Sequence, residues 1–141
     1  MKPSLFSFLA SLVYLALSQS IFPAKVDFGF DDPFIIMAAT TCGSILSPTF
    51  PESGDIPAFP RLGATAFITS SDTSACGTCW RLSQEGRDEP HTFVFMINPA
   101  AEGFLISGTA FDDLTGGDDD PIYVEATQVD NTFCNVLPGK N

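Results

Sequence analysis

Residues 75–82 read ACGTCWRL, with Cys76 and Cys79 three positions apart and Trp80 directly behind them. Such a pair can work as a dithiol redox centre, as half of a zinc site, or as the meeting point of two disulfides. A redox CxxC needs a helix start after a strand within a βαβ pattern, which the surrounding residues do not offer. A zinc site needs four ligands, and the remaining candidates, Cys42, Cys134 and the single histidine, His91, lack the paired spacing of a CxxC…CxxC site. The chain has four cysteines, an even set, so disulfides are the expected chemistry in an oxidising compartment. Joining Cys76 to Cys79 would close a tiny loop with little entropic benefit. Sending them to Cys42 and Cys134 closes long loops worth about 4 kcal/mol each in the chain-entropy model. Loop length alone does not choose between Cys42–Cys76 with Cys79–Cys134 and the crossed arrangement.

The other reactive side chains offer little for catalysis. Glycoside cleavage needs two carboxyl groups facing the scissile bond, one with a raised pKa, and no such pair stands out among the loop acids. His91 follows Pro90 in a charged turn and reads as a solvated loop histidine. No GxSxG element is present. Asp118-Asp119-Asp120 follows Gly116-Gly117, but its spacing does not match an EF-hand loop and reads as a solvated acidic turn. No metal, cofactor or catalytic residue is expected.

Positioning these residues falls to a short chain of 141 residues, enough for one domain. Met1-Lys2, the apolar run LFSFLASLVYLAL (5–17) and the small residues SQS (18–20) have the order of a secretory signal peptide. We expect residues 1–20 to be that leader and residues 21–141 to form a single exported domain. The formal charge is −11, and loss of Lys2 with the leader makes it more negative still. Phosphate backbones and anionic lipid repel such a chain, which argues against nucleic acid and membrane surfaces as partners. Neutral polymers remain, and carbohydrate is the obvious one outside a cell.

Segments 64–69, 78–83, 92–97 and 122–129 are rich in β-branched and aromatic residues between turn formers, so strands are expected there. KVDFGFDDPF (25–34) and IIMAATTC (35–42) are weaker strand candidates. Four prolines between Pro48 and Pro60 argue for irregular chain with at most one helical turn over 42–63. One helix is expected over 107–117, capped by Ser107, with Ala110, Phe111 and Leu114 on one face and Gly116-Gly117 as its stop. Trp80 is expected to pack against a disulfide or the core, and most of the fourteen phenylalanines are expected to be core, with Phe28 and Phe30 as candidates for exposure.

GDIPAFPRLG (54–63), ACGTCWRL, AAEGFLISGTAFDDLTGG (100–117) and VEATQVDNTFC (124–134) resemble, in order and spacing, the cerato-platanin family of small secreted fungal proteins. The resemblance covers nearly all of the chain after the leader. It implies a mainly β fold, a six-stranded double-ψ β-barrel with one or two short helices and two disulfides, Cys42–Cys76 and Cys79–Cys134. It further implies a non-catalytic protein of the cell wall that binds chitin-type oligosaccharides or wall polysaccharide, loosens polysaccharide as expansins do, and elicits plant defence. Asp27, Phe30, Asp31, Asp72, Asn98 and Gln128 match the polar and aromatic places of the family motif and are the expected carbohydrate-binding residues, in a monomer. The chain departs from the family at several of these places: Asn98 replaces an aspartate, Leu105 an asparagine, Val26 and Phe30 tyrosines, and Ser71 a tryptophan. Those departures open a second reading, an effector recognised by a host receptor that binds little sugar.

Overall fold

In the computed structural model, which describes residues 21–138, six strands close into a barrel in the order β1-β5-β2-β4-β3-β6. The strands are β1 (Ile21–Val26), β2 (Leu62–Thr65), β3 (Cys79–Gln84), β4 (His91–Pro99), β5 (Phe104–Ile106) and β6 (Ile122–Val129). Two α-helical segments accompany them, the single turn α1 (Gly43–Leu46) and α2 (Gly108–Thr115). This is the mainly β architecture that the family resemblance implies. The expected leader over residues 1–20 lies outside the described residues.

Side chains directly opposite one another in neighbouring strands share a face. The register pairs Trp80 with both Gln128 and Val94, Leu82 with Ala126 and Thr92, and Ala24 with Phe104. These residues therefore line the inside of the barrel, where Ala24, Leu82, Val94, Met96, Phe104, Ile106 and Val124 are buried. Residues 28–59 form a second layer whose Met37, Leu46 and Ile56 join the same core as Leu62 and Phe95. Pro23 sits in β1 where only β6 is its neighbour, since pairing with β5 begins at Ala24. Its missing N–H therefore breaks no ladder on the β5 side.

Helix α2 follows the sequence reading closely. Ser107 Oγ accepts from the Ala110 N–H at 3.2 Å, Ala110, Phe111 and Leu114 are buried, and Gly116 takes the left-handed conformation that ends the helix. Four other expectations are corrected. The strand sought over 25–34 is instead β1, and Phe28–Asp31 is a 3-10 turn because Asp27 Oδ1 accepts from the Gly29 N–H at 2.9 Å. Residues 35–42 hold one bridge, Ile36 to Glu52, before a 3-10 turn over Met37–Ala39 that Thr40 Oγ1 closes by donating to the Met37 carbonyl. β2 begins at Leu62 and stops at Thr65, whose Oγ1 accepts from the Phe67 N–H at 3.3 Å. Finally, β5 was not expected, because three residues are too few to show an alternation.

Both disulfides are Cys42–Cys76 and Cys79–Cys134, with Cα atoms 5.5 and 5.9 Å apart. The segment between Cys76 and Cys79 thus ties the α1 layer to one side and the C-terminal turn (Asn131–Cys134) to the other. Asn131 reinforces it: its Oδ1 accepts from the Cys79 N–H at 3.1 Å and its Nδ2 donates to the Gly77 carbonyl at 2.9 Å.

Candidate functional site

Four aromatic rings gather at the end of the barrel marked by Trp80 and Gln128. The Trp80 ring lies flat on Phe67 with centroids 5.2 Å apart and an interplanar angle of 3°, and it meets Phe104 at 5.5 Å and 61°. Phe22 closes the group with edge contacts to Phe67 and Phe104 at 5.4 and 5.7 Å. Phe104 is buried, whereas Phe67 is 43% exposed, so the stack runs from the core to solvent. Trp80 is half-buried in this cluster, in keeping with its expected place against the core, and its indole N–H donates to Thr78 Oγ1 at 2.9 Å.

Beside this stack lies a shallow cleft of about 260 Å³ lined by Phe67, Asp72, Ser74, Ala75, Trp80 and Gln128. Far apart in sequence, Asp72 and Gln128 are thus brought to one place. Asp72 is fixed by its own turn, donating its N–H to Thr69 Oγ1 at 2.9 Å while its Oδ1 accepts from Ser74 Oγ and N at 2.7 and 3.1 Å. Those bonds, the Ser74 hydroxyl first, hold the Asp72 carboxyl below its ordinary range. Among the described residues no donor reaches Asp72 Oδ2 and the Gln128 amide has no hydrogen-bond partner. An ionised oxygen and a free amide beside an exposed ring are the parts a sugar hydroxyl array requires.

The remaining expected residues stand elsewhere. Asn98 lies on the outer face of β4, opposite Ala64, which is in turn opposite Leu105. Its Oδ1 accepts from the Thr41 N–H at 3.3 Å. Asp27 caps its own 3-10 turn. Asp31 holds the start of α2, its Oδ2 accepting from the Gly108 N–H at 2.7 Å and its Oδ1 from Thr109 N and Oγ1 at 3.1 and 2.9 Å. A carboxylate at a helix N-terminus is favoured by the helix dipole as well. Phe30 is 7% exposed, so it is core and not a platform; Phe28 is 59% exposed, as expected. Sequence reasoning missed Phe67 altogether, since it was placed inside a strand that ends two residues earlier.

The whole arrangement meets a known family. A model of the cerato-platanin family matches residues 23–136. The chain belongs to the cerato-platanin family. It is 28% identical over 132 residues to cerato-platanin of Ceratocystis fimbriata f. sp. platani, an alignment covering 93% of this chain and 88% of that one. Among solved structures, cerato-platanin 2 from M. perniciosa superposes with a TM-score of 0.73 at 27% identity, covering 82% of this chain and 99% of the other. The fungal elicitor cerato-platanin in solution superposes with a TM-score of 0.68 at 26% identity, over 79% and 95% of the two chains. The chain shares their barrel.

An ion-paired cluster secures the flank of the barrel. Arg61 Nε and Nη2 donate to Asp113 Oδ2 and Oδ1 at 2.6 and 3.2 Å, and Thr92 Oγ1 donates to Oδ2 at 2.8 Å. Burial alone would raise the Asp113 pKa, but the hydrogen bonds from Arg61 and Thr92 outweigh it and the pKa is lowered. A lowered folded-state pKa contributes stability above the unfolded value of about 4, and that stability is lost as pH falls through the folded value. Asp113→Asn is therefore expected to be less stable than the parent by about 1 kcal/mol at pH 7, the range of a partly exposed pair. The gap should close below pH 4. Urea denaturation at pH 7 and pH 3 measures it, and an equal gap at both would show that the ion pair is not its source.

Proposed function

We propose that this chain is a secreted, non-catalytic cerato-platanin that binds chitin-type oligosaccharide at the barrel mouth, with loosening of wall polysaccharide and elicitation of plant defence as its outcomes. The observation that carries the reading is the convergence of Asp72 and Gln128 on the exposed side of the Trp80–Phe67 stack. Pyranose rings present apolar faces to aromatic rings and hydroxyls to carboxylates and amides, and this cleft offers both. Absence of catalysis is supported by the chemistry of the same cleft. Asp72 is its one carboxylate, and its lowered pKa keeps it ionised, so it is not the proton donor that glycoside cleavage needs. Export is supported by the order of residues 1–20 and by two disulfides.

Titration with chitotriose, followed by backbone amide shifts, tests the reading. Residues 67, 72–75, 80 and 128 should respond together. Asp72→Ala should weaken binding about tenfold, the loss of a hydrogen bond to a charged group, without releasing reducing ends in either protein. Unchanged affinity would remove the mouth from the binding surface.

A second reading is favoured by the outer face of β2, β4 and β5. There Asn98 and Leu105 flank Ala64 in one row, and they stand where the family motif has an aspartate and an asparagine, so a charge and an amide are lost from that face. On that reading the protein is an effector recognised by a host receptor, and chitotriose moves no amide at the mouth.

A further inference from the structure

We propose that the flank cleft between β4, α2 and the Asn131–Cys134 turn is a second saccharide subsite, which takes one neutral pyranose unit stacked on Phe133. It has a volume of about 440 Å³ and shares no lining residue with the mouth cleft. Its occupancy does not depend on the mouth reading above.

The floor is built from paired groups with bonding capacity left over. Asp113 grips Arg61 through Nε and Nη2, which holds the guanidinium plane still and leaves its Nη1 without a partner among the described residues. His91 directs Nδ1 to Glu89 at 2.8 Å, leaving Nε2 without a partner among the described residues. Asn135 stands at the rim in the left-handed conformation, φ 62°, and its amide too has no partner among the described residues. Together these groups donate and accept, as sugar hydroxyls require.

The wall is aromatic. Phe133 is 55% exposed and rests against Phe93 at 5.2 Å and 31°, while the His91 ring meets Phe93 edge-on at 5.1 Å. Phe133 is thus braced from behind and open in front. The charge of Arg61 is matched by Asp113 and the imidazole is turned to Glu89, so an entering anion would meet no uncompensated cation on a chain of formal charge −11. A neutral ring is the occupant that fits this balance.

The test is amide-shift titration of the full folded domain with chitotriose, cellotriose and trigalacturonate in parallel. Amides of His91, Phe93 and Phe133–Asn135 should move with at least one neutral trisaccharide. Phe133→Ser, at a half-exposed position that leaves folding intact, should weaken that response about tenfold. Asn135→Gly, which suits the same backbone angle, should weaken it as well. Asp72→Ala should leave it unchanged while weakening the mouth response about tenfold, so failure at one cleft is read separately from failure at the other. Silence of the flank amides with both neutral sugars overturns the proposal. So does an unaltered response in Phe133→Ser, or a stronger response to trigalacturonate than to either neutral sugar.

Discussion

Replacing Cys79 with serine should lower the stability of the folded domain by more than about 2 kcal/mol. The Cys79–Cys134 link spans a sequence separation of 55, against 34 for Cys42–Cys76, and the longer closed loop withholds more freedom from the unfolded chain. Removal also leaves Cys134, 3% exposed, as a thiol in a place packed for a bonded sulfur. Local geometry should survive, because Asn131 still bonds the Cys79 N–H and the Gly77 carbonyl. The loss should therefore show in urea denaturation and not in the amide spectrum of the native state. An unchanged midpoint would show the cross-link to be dispensable.

Gly103→Ala should cost about 3 kcal/mol, the sum of a left-handed backbone penalty and an overpacking cost. Gly103 has φ +50°, and a Cβ there would lie 2.0 Å from the Pro23 carbonyl oxygen. That neighbour is backbone of β1 and cannot rotate away. The Gly103 carbonyl also accepts from the Ala66 N–H at 2.9 Å, so movement of the loop would disturb the segment leading to Phe67. Gly86→Ala is the control: its φ is +76° but nothing lies within 4 Å, so only the backbone term of about 1 kcal/mol applies. Similar losses for the two variants, measured by thermal or urea unfolding, would show that the contact with β1 is not what requires glycine at 103. If the proposed function holds, Gly103→Ala should also weaken chitotriose binding at the mouth, since Phe22 and Phe104, which touch there, adjoin Pro23 and Gly103 in the chain.

Where a local signal and the tertiary structure agree, the residues were readable in advance. IYVEATQV is β6 residue for residue, because β-branched and aromatic residues run between turn formers and buried and exposed side chains alternate from Ile122 to Thr127. Helix α2 was equally plain from Ser107 and Gly116. The disulfide pairing was legible only through the family resemblance, as loop entropy left two arrangements level. What escaped was decided by single polar side chains or by partners distant in sequence. Asp27 turns a strand-like DFGF into a 3-10 turn, and β5 exists because β1 and β2 enclose it. The site was legible as residue types and not as places. Asp72 and Gln128 meet, whereas Asp31 is consumed in holding α2 and Phe30 in the core. The exposed ring of Phe67 carried no signal that separates it from thirteen other phenylalanines.

The strand order also fixes when this molecule can come into being. Only β3 and β4 are neighbours both in sequence and in the barrel; β1 pairs with β5 and β6, and β2 with β4 and β5. The first strand to leave a ribosome or a translocation pore therefore waits for the last two before it has any partner, and Cys79 waits for Cys134. Non-local pairing of this kind makes folding late and slow. The barrel consequently cannot close until β6 is available, although β2, β4 and β3 can pair before it. A polypeptide cut short anywhere within β6 would yield no smaller barrel, only an unfinished one with β1 and β3 unpaired along the gap.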